Sequence, residues 1–116
     1  MSWRGYVSRS VRNVRFIVDN AQMDKGGSCF GVRQWYESNL ATMAEVNPHF
    51  TFMLRGFDFA EPSLLISFND GTARIEPLAH KTPTDIDAYL RQAVVDAVKK
   101  NRDEIRETAT LPHIER

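Results

Sequence analysis

Apolar positions in the first half of the chain change period more than once. Trp3, Val7, Val11 and Val14 recur at helical spacing, so residues 1–12 read as an extended or helical arm. Val14-Arg15-Phe16-Ile17-Val18 is a β-branched run and predicts a first strand, ending at Asp19-Asn20. Asp24, Lys25, Gly26, Gly27 and Ser28 mark a loop over 20–28. From Ser28, read as an N-cap, Phe30, Trp35, Tyr36, Leu40, Met43 and Val46 supply a helical apolar stripe. Asn47-Pro48 stops this helix, because a residue before proline avoids helical dihedrals.

The second half alternates faster. Phe50 to Leu54 predicts a short, aromatic-rich second strand, and Gly56 to Glu61 a loop reaching Pro62. Leu64-Leu65-Ile66-Ser67-Phe68 predicts the third strand and Thr72 to Ile75 the fourth. Between them Asn69-Asp70-Gly71 predicts a type I′ hairpin turn. The last helix is the best marked. Thr82 caps it, Pro83 takes its first position and Asp85 falls three residues after the cap. Ile86, Tyr89, Leu90, Ala93, Val94, Ala97 and Val98 form its apolar face, and Lys99, Lys100 and Arg102 suit its C-terminal dipole. Asp87 reads as solvent-exposed. The order β-α-β-β-β-α predicts a right-handed crossover with a parallel pair, then an antiparallel hairpin. The expected fold is therefore an α/β domain: a mixed four-stranded sheet flanked by helices. The organisation read from the sequence is a basic arm over 1–12, the domain over 13–102, and a solvated tail over 103–116 that contains Pro112.

Composition narrows the function classes. A chain of 116 residues, 42% hydrophobic and 26% charged, fits one globular domain with a real core. The single cysteine, Cys29, excludes an intramolecular disulfide and a cysteine metal cluster. No apolar run approaches the roughly 18 residues that span a bilayer, so the chain is expected to be peripheral to a membrane at most. Formal charge is zero, but its distribution is uneven: Arg4, Arg9, Arg12 and Arg15, with Ser2, Ser8 and Ser10, all precede the first acid, Asp19. That is the composition of a mitochondrial targeting segment. A basic arm docking on an acidic partner or on RNA is the other reading, and an uncleaved arm serves both. The apolar stretch is too short and too interrupted by arginine for a secretory signal.

The chemistry-bearing residues are sparse. His49, His80 and His113 share no ligand spacing. Gly26-Gly27 lacks the Gly-Lys-Ser/Thr of a phosphate loop. The arginines of the arm lack interleaved aromatics, so an RNA platform is not indicated. Glu61-Pro62, the strand to Phe68 and Asn69-Asp70-Gly71 resemble the proline-strand-turn-strand signature of the thioredoxin fold. That resemblance makes the expected domain thioredoxin-like and makes Pro62 a candidate cis-proline, the alternative being a trans proline that opens a strand. Thioredoxin chemistry needs two thiols at a helix start, one activated there and one resolving. Cys29 lies near that place, with Gly26 and Val32 three residues away on either side. It reads as a small apolar residue at a helix start; a monothiol role would require it to be exposed and acidified.

With the elements placed, a family resemblance emerges. Met1-Ser2-Trp3-Arg4-Gly5, Ser8-Arg9 and the strand Val14–Val18 resemble the start of the small thioredoxin-like accessory subunits of mitochondrial complex I (NADH:ubiquinone oxidoreductase), the NADH dehydrogenase 1 alpha subcomplex subunit 2 family. Gly27-Ser28, Gly31-Val32-Arg33, Glu37, Asn47-Pro48, Leu54-Arg55 and Pro62 continue the likeness over residues 1–98. The same domain occurs in mitochondrial ribosomal proteins, and Gly5-Tyr6-Val7 with Arg12 and Phe16 is similar to a large-subunit member that would bind rRNA. The complex I resemblance implies a non-catalytic subunit of the respiratory chain without cofactor or nucleic acid. It would be peripheral to the mitochondrial inner membrane on the matrix side. Its partners would be other complex I subunits, chiefly the large iron–sulfur subunit of the peripheral arm. Some members carry a cysteine pair; this chain has Asp19 and Phe57 at the matching positions, so no redox switch carries over. Interface burial is then the expected mode of action, with Trp3, Arg4, Tyr6, Arg15, Arg33, Arg55 and Phe57 as contact candidates.

Overall fold

A computed structural model describes the backbone of residues 3–110 and the side chains of residues 3–100. A 3-10 turn, Trp3–Tyr6, leads into one helical turn, α1 (Val7–Ser10), and then into β1 (Val11–Asp19). A second 3-10 turn, Asn20–Gln22, precedes α2 (Phe30–Val46). Then come β2 (Phe52–Phe57), β3 (Ser63–Phe68), β4 (Ala73–Pro77) and α3 (Pro83–Thr110). The sheet order is β2-β1-β3-β4, with β1 parallel to β2 and antiparallel to β3, and β3 antiparallel to β4. This is the mixed four-stranded α/β arrangement that the element order predicts.

One face of the sheet builds the core. Val14, Phe16 and Val18 of β1, Phe52 of β2, and Leu64, Ile66 and Phe68 of β3 are buried against Val32, Trp35 and Met43 of α2 and Ile86, Leu90, Ala93 and Val94 of α3. The Phe16 ring lies 5.2 Å from Trp35 and 5.8 Å, edge-on, from Tyr36. Val11 and Val14 are three residues apart, so strict strand alternation would put them on opposite faces. A register shift between Val11 and Asn13 absorbs the odd residue and keeps both valines buried.

The N-terminal segment is part of this core rather than a separate arm. Val7 is fully buried and Ser10 nearly so, while Trp3 and Tyr6 pack against the cluster. Strand β1 starts at Val11, so no domain boundary falls between residues 12 and 13. Asn47 fixes one end of the segment: its Oδ1 accepts from the Ser8 N–H at 3.0 Å and its Nδ2 donates to the Arg4 carbonyl at 2.8 Å. Asn69 fixes the other, with Nδ2 donating to the Arg9 carbonyl at 2.9 Å and N–H to that of Ser10 at 3.2 Å.

Several local expectations shift. The residue at the N-cap of α2 is Cys29 rather than Ser28, without a side-chain capping bond. β2 runs through Gly56 to Phe57 and does not include Phe50. The β3–β4 loop is not type I′, since only Gly71 (φ +91°) has a positive φ there. The Gly71 N–H donates to the Phe68 carbonyl at 3.1 Å and the Phe68 N–H to that of Thr72 at 2.8 Å. This is a three-residue loop with its glycine left-handed. Asp70 favours it by accepting from both the N–H and the hydroxyl of Thr72. At α3 the capping box forms as expected: Asp85 accepts from the Thr82 N–H at 3.1 Å and the Thr82 hydroxyl from the Asp85 N–H at 3.2 Å. The helix does not end near Arg102 but continues to Thr110, through much of the stretch expected as a tail; residues 111–116 of that tail lie outside the described residues.

Candidate docking site

Two places could carry function: the corner that holds Cys29, and the sheet face turned away from the helices.

Cys29 is fully buried. The loop around it is wrapped tightly: its N–H donates to the Gln22 carbonyl at 2.9 Å, and Gln22 Oε1 accepts from the Ser28 N–H at 3.2 Å. A Cβ on Gly27 would collide with the Gln22 carbonyl, which is why glycine stands there. The Asp19 N–H points at Cys29 Sγ from 3.3 Å, and the Ser28 hydroxyl lies 3.9 Å away. Both of these groups are neutral. The buried thiol is therefore out of reach of a disulfide or electrophile in the folded chain, which goes against the monothiol alternative. Pro62 is not the cis-proline that the thioredoxin resemblance implies: the described residues contain no cis peptide bond. It is buried and stands in the trans form just before β3, outside the paired residues, and its carbonyl accepts from the Leu78 N–H at 2.9 Å. Among the described residues no three His, Cys, Asp or Glu side chains gather as metal ligands.

The other sheet face is different. Both long helices sit on the core side, and β2 joins β3 through only Asp58–Pro62, so no described element crosses the outside. The register lays out its rows. Met53, Arg15, Leu65 and Ile75 run across the four strands, and Arg55, Ile17, Ser63 and Pro77 form the next row. None of these eight side chains is buried, and Ile75 is 65% exposed. Phe57, at the end of β2, is 51% exposed. Beyond it, Phe59 in the connecting loop is 95% exposed and held at φ +59°. A bulky side chain in the left-handed region is unusual.

Arg15 and Arg55 are diagonal neighbours on this face, since Arg15 pairs with Met53 and Arg55 with Ile17. Neither guanidinium ion-pairs or hydrogen-bonds with another described side chain. The acid at the strand end, Asp19, is occupied in capping the Ala21 N–H at 3.0 Å.

The predicted contact residues thus divide. Arg15, Arg55 and Phe57 share the outer face. Trp3, Arg4 and Tyr6 do not; they face inward. Arg4 donates to Asp87 Oδ1 at 2.6 Å and to Asn39 Oδ1 at 3.1 Å. The Trp35 indole N–H reaches the same Asp87 oxygen at 3.2 Å, so Asp87 is a tie point between the N-terminus, α2 and α3 rather than a solvated charge. Arg33 is taken up by Glu37 at 3.0 Å and Asp24 at 3.3 Å. The hydrogen bond to Glu37, with that carboxylate's charge, raises its pKa above the ordinary arginine value.

Sequence reasoning missed Ile17, Met53, Leu65, Ile75 and Phe59. A signal for Ile17, Met53 and Leu65 was present: Phe16-Ile17-Val18, Phe52-Met53-Leu54 and Leu64-Leu65-Ile66 are unbroken apolar runs, whereas a strand with one wet face alternates. Compared with models of known families and with curated proteins, the sequence finds no match.

Proposed function

We propose that this chain is a non-catalytic docking subunit, held in a larger assembly through the outer face of its sheet. The observation that carries the reading is that face: an apolar, cationic surface four strands wide that no described element covers, beside a thiol that is sealed. Exposed apolar patches of this kind mark interaction surfaces. The sequence resemblance supplies the host. On that basis the chain is an accessory subunit of mitochondrial complex I, docked by the large iron–sulfur subunit of the peripheral arm on the matrix side of the inner membrane. No helix among the described residues is long and apolar enough to cross a membrane, which is compatible with a peripheral position.

The test is native purification of the tagged chain from mitochondria. Co-migration with NADH:ubiquinone oxidoreductase activity is the expected result. Co-sedimentation with ribosomal RNA instead would overturn the host and favour the ribosomal relatives of the domain. Arg55→Ala should lower incorporation severalfold while leaving the melting temperature of the isolated domain unchanged; full incorporation would remove Arg55 from the interface.

A further inference from the structure

The outer face also indicates what covers it. We infer that its occupant is an amphipathic helix of a partner protein, with an apolar stripe flanked by carboxylates. The inference rests on the docking reading above and adds the chemistry of the partner.

Three observations lead there. The first is the layer that is missing. β1 and β2 are a parallel pair, the pairing that wholly parallel sheets bury under helices on both faces, here set in a sheet whose other two pairings are antiparallel. Here helices cover one face only. The second is the apolar content. Ile17, Met53, Leu65 and Ile75 occupy positions that a water-facing strand would give to polar residues, and they spread over all four strands. Four strands span about 14 Å, which accommodates a helix of ~10 Å diameter. The third is charge. Arg15 and Arg55 stand diagonally adjacent among these apolar side chains, without a carboxylate partner among the described residues. Two neighbouring guanidinium groups repel each other until an anion is placed against them, and their planar forks suit carboxylates. A phosphate backbone is the poorer fit. Nucleic-acid surfaces are more densely cationic and offer aromatic faces for stacking, whereas the middle of this face holds aliphatic side chains.

The experiment uses the full chain, isotope-labelled for NMR, and a lactam-stapled helical peptide of about four turns. The peptide carries leucines on one stripe and glutamates on both sides of it. The expected result is saturable shifts at Arg15, Ile17, Met53, Arg55, Leu65 and Ile75. The same peptide with lysine for glutamate should bind at least tenfold more weakly. Arg15→Glu with Arg55→Glu should reverse that preference, a readout that general destabilisation would not produce. Equal binding of both peptides, no binding, or shifts confined to the helices would overturn the inference. So would concentration-dependent shifts at this face without peptide, which would give it to a second copy, or tighter binding of duplex RNA there. The two levels separate cleanly. If the chain co-migrates with complex I and the doubly substituted chain incorporates normally, the partner chemistry fails and the host stands. If the glutamate peptide binds as expected while the chain is absent from complex I, the host fails and the partner chemistry stands.

Discussion

Asn47 is the residue whose replacement tests the fold most directly. It is fully buried, and its side chain makes three bonds: from the Ser8 N–H at 3.0 Å, to the Arg4 carbonyl at 2.8 Å and to the Met43 carbonyl at 2.9 Å. Asn47→Ala removes all three. Met43 retains a partner, because the Asn47 backbone N–H still donates to it at 3.0 Å. The Ser8 N–H loses its acceptor inside a packed segment, while the Arg4 carbonyl gives up one of its donors. At about 1–3 kcal/mol for the orphaned donor, the loss should be about 1–3 kcal/mol. At ~4 °C per kcal/mol the melting temperature falls by about 4–12 °C. Asn47→Asp is the sharper perturbation. It keeps the acceptor for Ser8 but turns the donor into an oxygen facing two carbonyls, and it buries a charge, so it should cost more than alanine. Urea titration with thermal melts measures both variants, and hydrogen exchange should show the amides of residues 5–9 opening before the rest. A loss below about 1 kcal/mol for alanine, or a milder effect for aspartate than for alanine, would show that Asn47 does not clamp the N-terminal segment.

Gly31→Ala would drive a Cβ into the Lys81 carbonyl, a backbone atom that cannot swing aside, and should cost about 2–3 kcal/mol, whereas Gly5→Ala meets open space and should stay within about 0.5 kcal/mol; equal chemical-denaturation midpoints for the two would refute the contact. Cys29, being buried, should react with Ellman's reagent no faster than the domain opens, so stoichiometric reaction within the mixing time in native buffer would overturn its placement. Acid should weaken the contacts around the β3–β4 turn. The Lys100 ammonium, at 2.5 Å, and then Thr72 hold Asp70 well below the usual carboxylate range, while Gln92 and then Arg74 lower Asp96. A depressed folded pKa gives stability that is present above the unfolded value, near 3.8, and is lost as pH falls through the folded one. Asp70→Asn should therefore narrow the stability difference between pH 6 and pH 3; an unchanged difference would rule out the Asp70 contribution.

Local signals in the sequence were read well because their causes are local. Thr82, Pro83 and Asp85 specify a helix start within four residues, and the capping box forms as expected. The β-α-β order required a parallel pair, and β1 and β2 form one. What escaped the sequence depends on partners far along the chain. Asn47 looked like a helix stop; its two distant hydrogen bonds, to Arg4 and Ser8, are set by where the N-terminus returns. Asp87 looked solvated, and is instead shared by Arg4 and Trp35, which lie 83 and 52 residues away. Trp3, Arg4 and Tyr6 looked like an outward-facing arm because an amphipathic stripe does not say whether its partner is another protein or the chain's own helices. The candidate site was half legible. Its arginines and Phe57 stood out by type; Ile75 lay on a short alternating strand, and Ile17, Met53 and Leu65 were hidden inside continuous apolar runs. Those runs contain two faces' worth of apolar residues, and only the strand register shows that one set has nothing over it.

The burial of Val7 and the tie from Arg4 to Asp87 bear on the order of events in the life of the chain. Were residues 3–10 to serve as an import address, a receptor could read the stripe only before the domain closes, since folding turns the same side chains inward. Delivery and folding would then compete for one segment, and the faster process would decide where the protein ends up. A peptidase that removed the segment afterwards would take core side chains with it, so the address would have to stay on the mature chain. A substitution that speeds folding would, on this logic, strand the protein outside its compartment even as it improves stability in the test tube.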